Sequence, residues 1–438
     1  MAIRALALVI ILSMPIAQIG AANRPYLAEA IKAANWIEAS SIKTGDATAW
    51  PVDPRDPKSI QTDLYSGVPG VVLFWVEAYR STGDRGYLQQ ARAGADYLLA
   101  DLSKETDPGL YSGVGGIGFV LIQTYKVTLE NKYRQGAVRC LQLIKDKAIK
   151  TGSGLEWNNV TDIISGGAGI GLFLLYAARE LDDAPSRQLA VLDGKRLIEL
   201  GMVEGGGLKW AMSPEFKALM PNFSHGTAGV CYFLATLYQE TKQKEFLDAA
   251  LAGTRYLQSI ADTENNVCLI FHDEPNGKSL YYLGWCHGPV GTTRLFYRLY
   301  QVTGDPRWMD WVKKAARGIM QSGIPEKLTP GFWNNVSQCC GSAGVAEFFL
   351  NLYEVTHDRH YLEFSKRVTA NLLSRATAEK NGVKWIQAEH RVKPDLLLAQ
   401  TGYMQGAAGI GMWLLHLDAF ERGKRDKISF PDDPFHSN

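Results

Sequence analysis

The chain lacks several features that would place it in a common class. It has no charge excess: 46 Lys and Arg face 45 Asp and Glu in 438 residues. Such a balance argues against nucleic acid or an acidic membrane as the main partner. Segments that alternate apolar and polar residues for long are scarce, so a large sheet is not expected. No Pro/Ser-rich linker and no low-complexity tract divides the chain. Glycine is abundant, yet no Gly motif runs into Gly-Lys-Ser/Thr, which removes a phosphate-loop reading. The N-terminal apolar run, Ala5 to Ala17, is shorter than the about 20 residues of a bilayer crossing, so no stable membrane span is expected.

That run reads instead as the apolar core of a signal peptide. Arg4 gives the positive start, and Gly20-Ala21-Ala22 gives small residues before Asn23. The expectation is a leader over residues 1–22 and an exported protein, periplasmic or secreted. No Cys follows the run, which argues against a lipid anchor. Without Arg4 the remainder balances at 45 and 45 charges. The polar, Pro-containing tail, residues 421–438, is expected to be loosely ordered.

What the chain does have is one glycine motif, x-Gly-x-x-Gly, seven times over. The copies begin at Ser66, Ser112, Ser165, His225, His287, Cys340 and Gln405. Their spacing of roughly 46 to 65 residues is that of a ring, solenoid or propeller. An apolar stretch follows each motif, such as Val71-Val72-Leu73-Phe74-Trp75-Val76, as in a buried helix. Then comes a polar turn such as Ser81-Thr82-Gly83-Asp84, and a second helix with charges on one face, such as Tyr87-Leu88-Gln89-Gln90-Ala91. Seven such hairpins, over residues 23–420, predict an all-α, α/α toroid with two concentric helical rings. The motif glycines are expected to supply positive φ and close approach between loops.

In two adjacent copies the motif carries cysteine. Cys286 precedes the fifth, as Trp285-Cys286-His287-Gly288, and Cys339 precedes Cys340-Gly341 in the sixth. Equivalent loops of a closed ring converge, so these thiols can meet. Adjacent cysteines pair with each other only through a strained ring, which favours metal over a disulfide. Three thiolates suit Zn²⁺ and leave its fourth position open, the catalytic pattern. Cys140, Cys231 and Cys268 lie on apolar stretches and read as core fillers or one disulfide pair.

These residues resemble the lanthionine synthetase C (LanC-like) family. Trp285-Cys286-His287-Gly288 and Cys339-Cys340-Gly341 look like its Trp-Cys-x-Gly and Cys-His-Gly zinc motifs, with Cys340 where many members have His. Asp162, in Asp162-Ile163-Ile164-Ser165-Gly166, and His225, in Ser224-His225-Gly226, match its active-site Asp and His. The resemblance implies the toroid, a central Zn²⁺ held by Cys286, Cys339 and Cys340, and addition of a thiol to dehydroalanine or dehydrobutyrine in a peptide. The partner is then a peptide with dehydro residues or a small thiol. Zinc would favour the thiolate, and a histidine could protonate the enolate that follows. Asp162 could orient His225, take the thiol proton, or simply cap the turn after it. His287, next to a ligand, is expected to support the metal rather than bind it. Family members often carry Arg four residues before the first zinc Cys; here that position is Tyr282, with Lys278 and Arg294 nearby in sequence. Two other readings compete. A toroidal glycosidase would need two rim carboxylates, for which Asp162, Asp273, Glu274 and Glu389 are candidates. A non-catalytic ring would keep zinc as a pin.

Overall fold

The computed structural model describes residues 24–380, 382–425 and 427–435; the expected leader, residues 1–22, lies outside them. Fourteen α-helices are described. The first is α1 (Pro25–Ala39). Five pairs follow: α2 (Val68–Thr82) with α3 (Arg85–Asp101), α4 (Val114–Thr128) with α5 (Asn131–Lys147), α6 (Gly167–Leu181) with α7 (Ala184–Glu199), α8 (Thr227–Thr241) with α9 (Lys244–Ile260), and α10 (Pro289–Thr303) with α11 (Pro306–Gln321). A sixth pair is α12 (Ser342–Thr356) with α13 (Arg359–Ser374), and α14 (Ala407–Glu421) closes the chain of helices.

The first helix of each pair starts at a glycine motif and is apolar almost all round. In α2, Val71 to Val76 are all buried. The second helix buries one stripe: in α11, Val312, Ala315, Ala316 and Ile319 are buried while Asp310 and Lys313 are exposed. The joints share one chemistry. Gly83, Leu129, Asp182, Lys242, Gly304 and His357 each take the left-handed conformation after an inner helix. Each returns its N–H to the carbonyl four residues back, the αL helix stop. Asp84, Asp183, Asp305 and Asp358 then cap the outgoing outer helices.

The inner helices α2, α4, α6, α8, α10, α12 and α14 pack in that order, and α14 returns to α2, closing an α/α toroid. The expected seventh hairpin is not continuous in sequence. The outer partner of α14 is α1, so the two ends of the chain meet at a seam. Leu27, Ala30, Ala34 and Ile37 supply the apolar cover that α14 needs, and the Arg24 guanidinium pairs with Asp418. Five short two-stranded antiparallel ladders decorate the loops among the described residues.

At one end of the ring the seven motif loops are tied together by backbone hydrogen bonds. Tyr65 N–H donates to Tyr111 C=O, Tyr111 to Ile164, Ile163 to Ser224, Ser224 to Cys286, Trp285 to Cys339, Cys339 to Met404, and Met404 back to Tyr65, at 2.7–3.1 Å. This circle brings equivalent positions of distant repeats to one centre. The motif glycines serve close approach, and positive φ is not among their roles. Gly226 is extended (φ −145°), and a Cβ there would lie 1.5 Å from the Met220 carbonyl oxygen. A Cβ on Gly291 would lie 2.0 Å from that of Trp285.

Within the tail expected to be loosely ordered, residues 427–435 are packed. Residues 427–435 turn into the bore below the loop circle. Ile428 N–H donates to Glu77 Oε2 (3.0 Å), and Phe430 stacks on Tyr403 with centroids 4.8 Å apart. Asp432 is fully buried and accepts from Tyr111 Oη (3.1 Å), Trp285 Nε1 (3.2 Å) and Arg294 Nη1 (2.8 Å). A ring of inner helices leaves an axial void, and close packing requires that it be filled. Cys140, Cys231 and Cys268 are buried free thiols, so they are core fillers and form no disulfide.

A candidate three-thiol centre and its cavity

The loop circle sets where the three cysteines stand. Cys286 and Cys339 occupy the same register position in consecutive loops, and Cys340 is one residue further on. Their sulfurs converge within 4.8 Å, with Cys286 Sγ 2.9 Å and Cys339 Sγ 3.3 Å from Cys340 Sγ. For comparison, bonds of about 2.3 Å on a tetrahedral Zn²⁺ put sulfurs about 3.8 Å apart. The three buried sulfurs therefore suit that ion, and no other group of His, Cys, Asp or Glu among the described residues meets the same test. Burial opposes charge on Cys339. Hydrogen bonds from Cys286, Cys340 and Tyr65 overcome it and hold Cys339 well below the usual thiol range. Tyr65 Oη lies 3.1 Å from Cys339 Sγ and itself accepts from Gln405 Nε2 (2.9 Å). Tyr65 and Gln405 come from the first and seventh loops; neither residue type signals such a role in sequence.

The thiols form one wall of a cavity of about 210 Å³ that opens at the loop face. Four histidines line it: His225, His272, His287 and His390. His225 Nδ1 lies 2.5 Å from Asp162 Oδ2. Asp162 Oδ1 accepts the N–H groups of Ser165 and Gly166, both at 2.8 Å. The carboxylate thus caps its own turn and holds the histidine of the next repeat. His287 ring contacts His225 (5.6 Å) and His272 (4.3 Å). Burial, then the neighbouring imidazoles, push His287 well below its ordinary range. His272 escaped the sequence analysis because it lies between motifs; the adjacent His272-Asp273 pair was its only trace.

Lys278 and Arg294 do not line the cavity. Lys278 pairs with Glu274 outside it, and Arg294 lies in the bore against Asp432. Among the described residues, the cavity's one lining residue with a fixed positive charge is Arg391, from the loop after the strand Gln387–Ala388. Arg391 faces Tyr282, whose hydroxyl burial raises to about 12, and the Arg391 Nε is buried without a partner. Sequence reasoning missed it because loop closure, not spacing, brings it in. The four carboxylates considered for glycoside cleavage are dispersed. Asp162 and Asp273 hold histidines, Glu274 pairs with Lys209 and Lys278, and Glu389 accepts from Gln400.

The profile of the lanthionine synthetase C-like proteins matches residues 58–431. The chain belongs to that family. Among solved structures it is similar to nisin cyclase: TM-score 0.64, 18% identity, 90% of this chain and 93% of the cyclase covered. A glycoside hydrolase family 76 mannosidase from Bacteroides thetaiotaomicron shares the ring at a TM-score of 0.50 and 13% identity, over 92% of this chain and all of that one. Among curated proteins, a glutathione S-transferase, LANCL1, from Danio rerio is 23% identical over 139 residues. That stretch spans 32% of this chain and 32% of the relative.

Proposed function

We propose that the protein is a zinc-dependent thiol-addition enzyme that joins a cysteine thiol to dehydroalanine or dehydrobutyrine in a peptide. The observation that carries this is three convergent thiols beside a His–Asp dyad in one cavity of a LanC-like ring. Cys286, Cys339 and Cys340 would hold the ion; when bound, it lowers the pKa of an incoming thiol and orients its sulfur. His225, steadied through Nδ1 by Asp162, donates the proton that the α-carbon needs once sulfur has attacked the β-carbon. Arg391 supplies the positive charge that favours the enolate, from a different loop than the family position at Tyr282. Loop circle and tail plug make the centre approachable from the loop face, which suits a peptide laid across the rim. The nisin cyclase likeness supports a peptide substrate, and the LANCL1 likeness supports a small thiol as co-substrate. Residues 1–22 support export of the enzyme, tested by N-terminal sequencing: Asn23 at the start of the mature chain is expected, and an intact Met1 would refute it.

The test feeds a dehydroalanine peptide, with an internal Cys or an added thiol, to protein of measured zinc content. Loss of free thiol and thioether formation are expected at about one zinc per chain, with both zinc and activity lost in Cys286→Ala. Full zinc in Cys286→Ala rules out the assigned ligand set. Wild-type protein with full zinc and no turnover on any such peptide rules out catalysis and leaves a binding ring.

A further inference from the structure

The cavity holds a second His–carboxylate pair that the proposed reaction has not used. His272 Nδ1 lies 2.7 Å from Asp273 Oδ2. The loop around it is fixed, since His272 N–H donates to the Leu280 carbonyl (2.7 Å). Its ring packs on Tyr282 (4.4 Å) and on His287 (4.3 Å) and lines the same cavity as the thiols. The arrangement matches that of His225 and Asp162. In each pair Nδ1 is taken by a carboxylate that does not itself line the cavity, so Nε2 is the nitrogen left for a ligand. His287 touches both imidazoles and separates their tasks in space.

Thiol addition has two proton transfers at different atoms. The S–H proton must leave, and the α-carbon must gain one. A single imidazole in one protonation state serves only one of these at a time. We propose that His272, oriented by Asp273, is the general base that takes the thiol proton, leaving His225 as the acid at the α-carbon; this rests on the thiol-addition reading above. The step balances without an oxidant or reductant. The S–H bond breaks and its electron pair stays on sulfur, with the proton passing to His272 Nε2. The S–Cβ bond then forms as the C=C π pair moves into the enolate. His225 gives its proton to Cα, and solvent afterwards carries the proton from His272 back to His225.

The surroundings favour the neutral base. Burial lowers the His272 pKa from its ordinary value, and this outweighs Asp273, which raises it. The groups facing it are Asp273, Tyr282, His287, His225 and Arg391; the Arg391 and His225 charges also lower it. His272 is therefore mostly unprotonated at pH 7 and ready to accept.

The test variant is His272→Asn, whose amide keeps a donor at the Nδ1 position and removes Nε2. Zinc content and the unfolding midpoint should match wild type. At pH 7 kcat/KM should fall about 10²-fold or more, as expected when a general base is lost. At pH 9, where a free thiol with a pKa of about 8.5 ionises unaided, the loss should largely disappear. His225→Asn, lacking the acid, should show no such alkaline recovery. A second readout needs no dehydropeptide. Co²⁺-substituted protein titrated with 2-mercaptoethanol shows thiolate ligation by its charge-transfer absorption. The pH midpoint of that ligation should rise in His272→Asn. Asp273→Asn, which leaves the imidazole in place, should show a smaller shift in the same direction. If His272→Asn proves unstable, this variant carries the test. A loss under threefold at pH 7, an equal loss at pH 7 and 9, or superimposable cobalt titrations would each overturn the assignment. Should wild type fail to modify any dehydropeptide while the cobalt midpoint still shifts, the reaction proposed above fails and the base survives.

Discussion

Replacing Asp162 by Asn separates its two duties. Oδ1 accepts two backbone N–H groups, from Ser165 and Gly166, while Oδ2 faces His225 Nδ1 at 2.5 Å. An Asn amide must keep its oxygen on the two backbone donors, because the reverse flip would set NH₂ against N–H twice. Its NH₂ then points at His225 Nδ1 and demands a lone pair there. The imidazolium is disfavoured, and the neutral ring carries its proton on Nε2, where it is a poor acid. Fold, cap and zinc should therefore persist while kcat falls by about 10²–10⁴, equivalent to about 3–5 kcal/mol of barrier. Asp162→Ala removes the cap as well and should cost a further ~1 kcal/mol of stability. Zinc analysis, urea unfolding and turnover on a dehydroalanine peptide, measured on all three proteins, give the answer. An Asn variant with wild-type kcat, or one that loses zinc and stability as much as the Ala variant, would refute the division of roles.

Arg391→Gln should lower kcat by about 10²-fold with KM little changed, as for removal of one charge-stabilising donor; a rise in KM alone would assign Arg391 to substrate binding instead. Asp432→Ala leaves Tyr111 Oη and Trp285 Nε1 without their acceptor in the bore and the Arg294 guanidinium with only the residue-432 carbonyl and no counter-charge. Urea unfolding should register a loss of about 3–5 kcal/mol, and Arg294→Leu in the same chain should recover part of it. Glu347 is buried, which alone would raise its pKa, but His416 and then Lys427 bring it down to about 2. With the folded value below the unfolded one, its stability is fully present above pH about 4.5 and is lost as pH falls toward 2. Glu347→Gln should lack that part of the acid dependence in stability measured from pH 6 to pH 2.5.

Sequence alone determined the repeat. The seven x-Gly-x-x-Gly motifs, the apolar stretches after them and the Asp-capped turns are local, and each dictates its own loop, inner helix and outer helix. It also exposed Cys286, Cys339, Cys340 and His225, because they sit at or beside the motif register, while Asp162 stood out only through the family resemblance. Only tertiary structure decided how the ring closes. Helix α1 covers α14 because a helix apolar all round needs an outer partner, and among the described residues no helix follows α14. The tail fills the bore through Ile428, Phe430 and Asp432, residues too few and too spaced to show a pattern. The role of the motif glycines likewise required neighbours: it is the Met220 and Trp285 carbonyls, not an unusual φ, that leave no room for a side chain at Gly226 and Gly291. His272 and Arg391 reach the cavity from loops outside the motif register, whereas Tyr65 holds in the first motif the position that Cys286 and Cys339 hold in theirs. Repetition is written in local spacing, whereas convergence at the centre depends on closing the circle, and no single repeat contains that information.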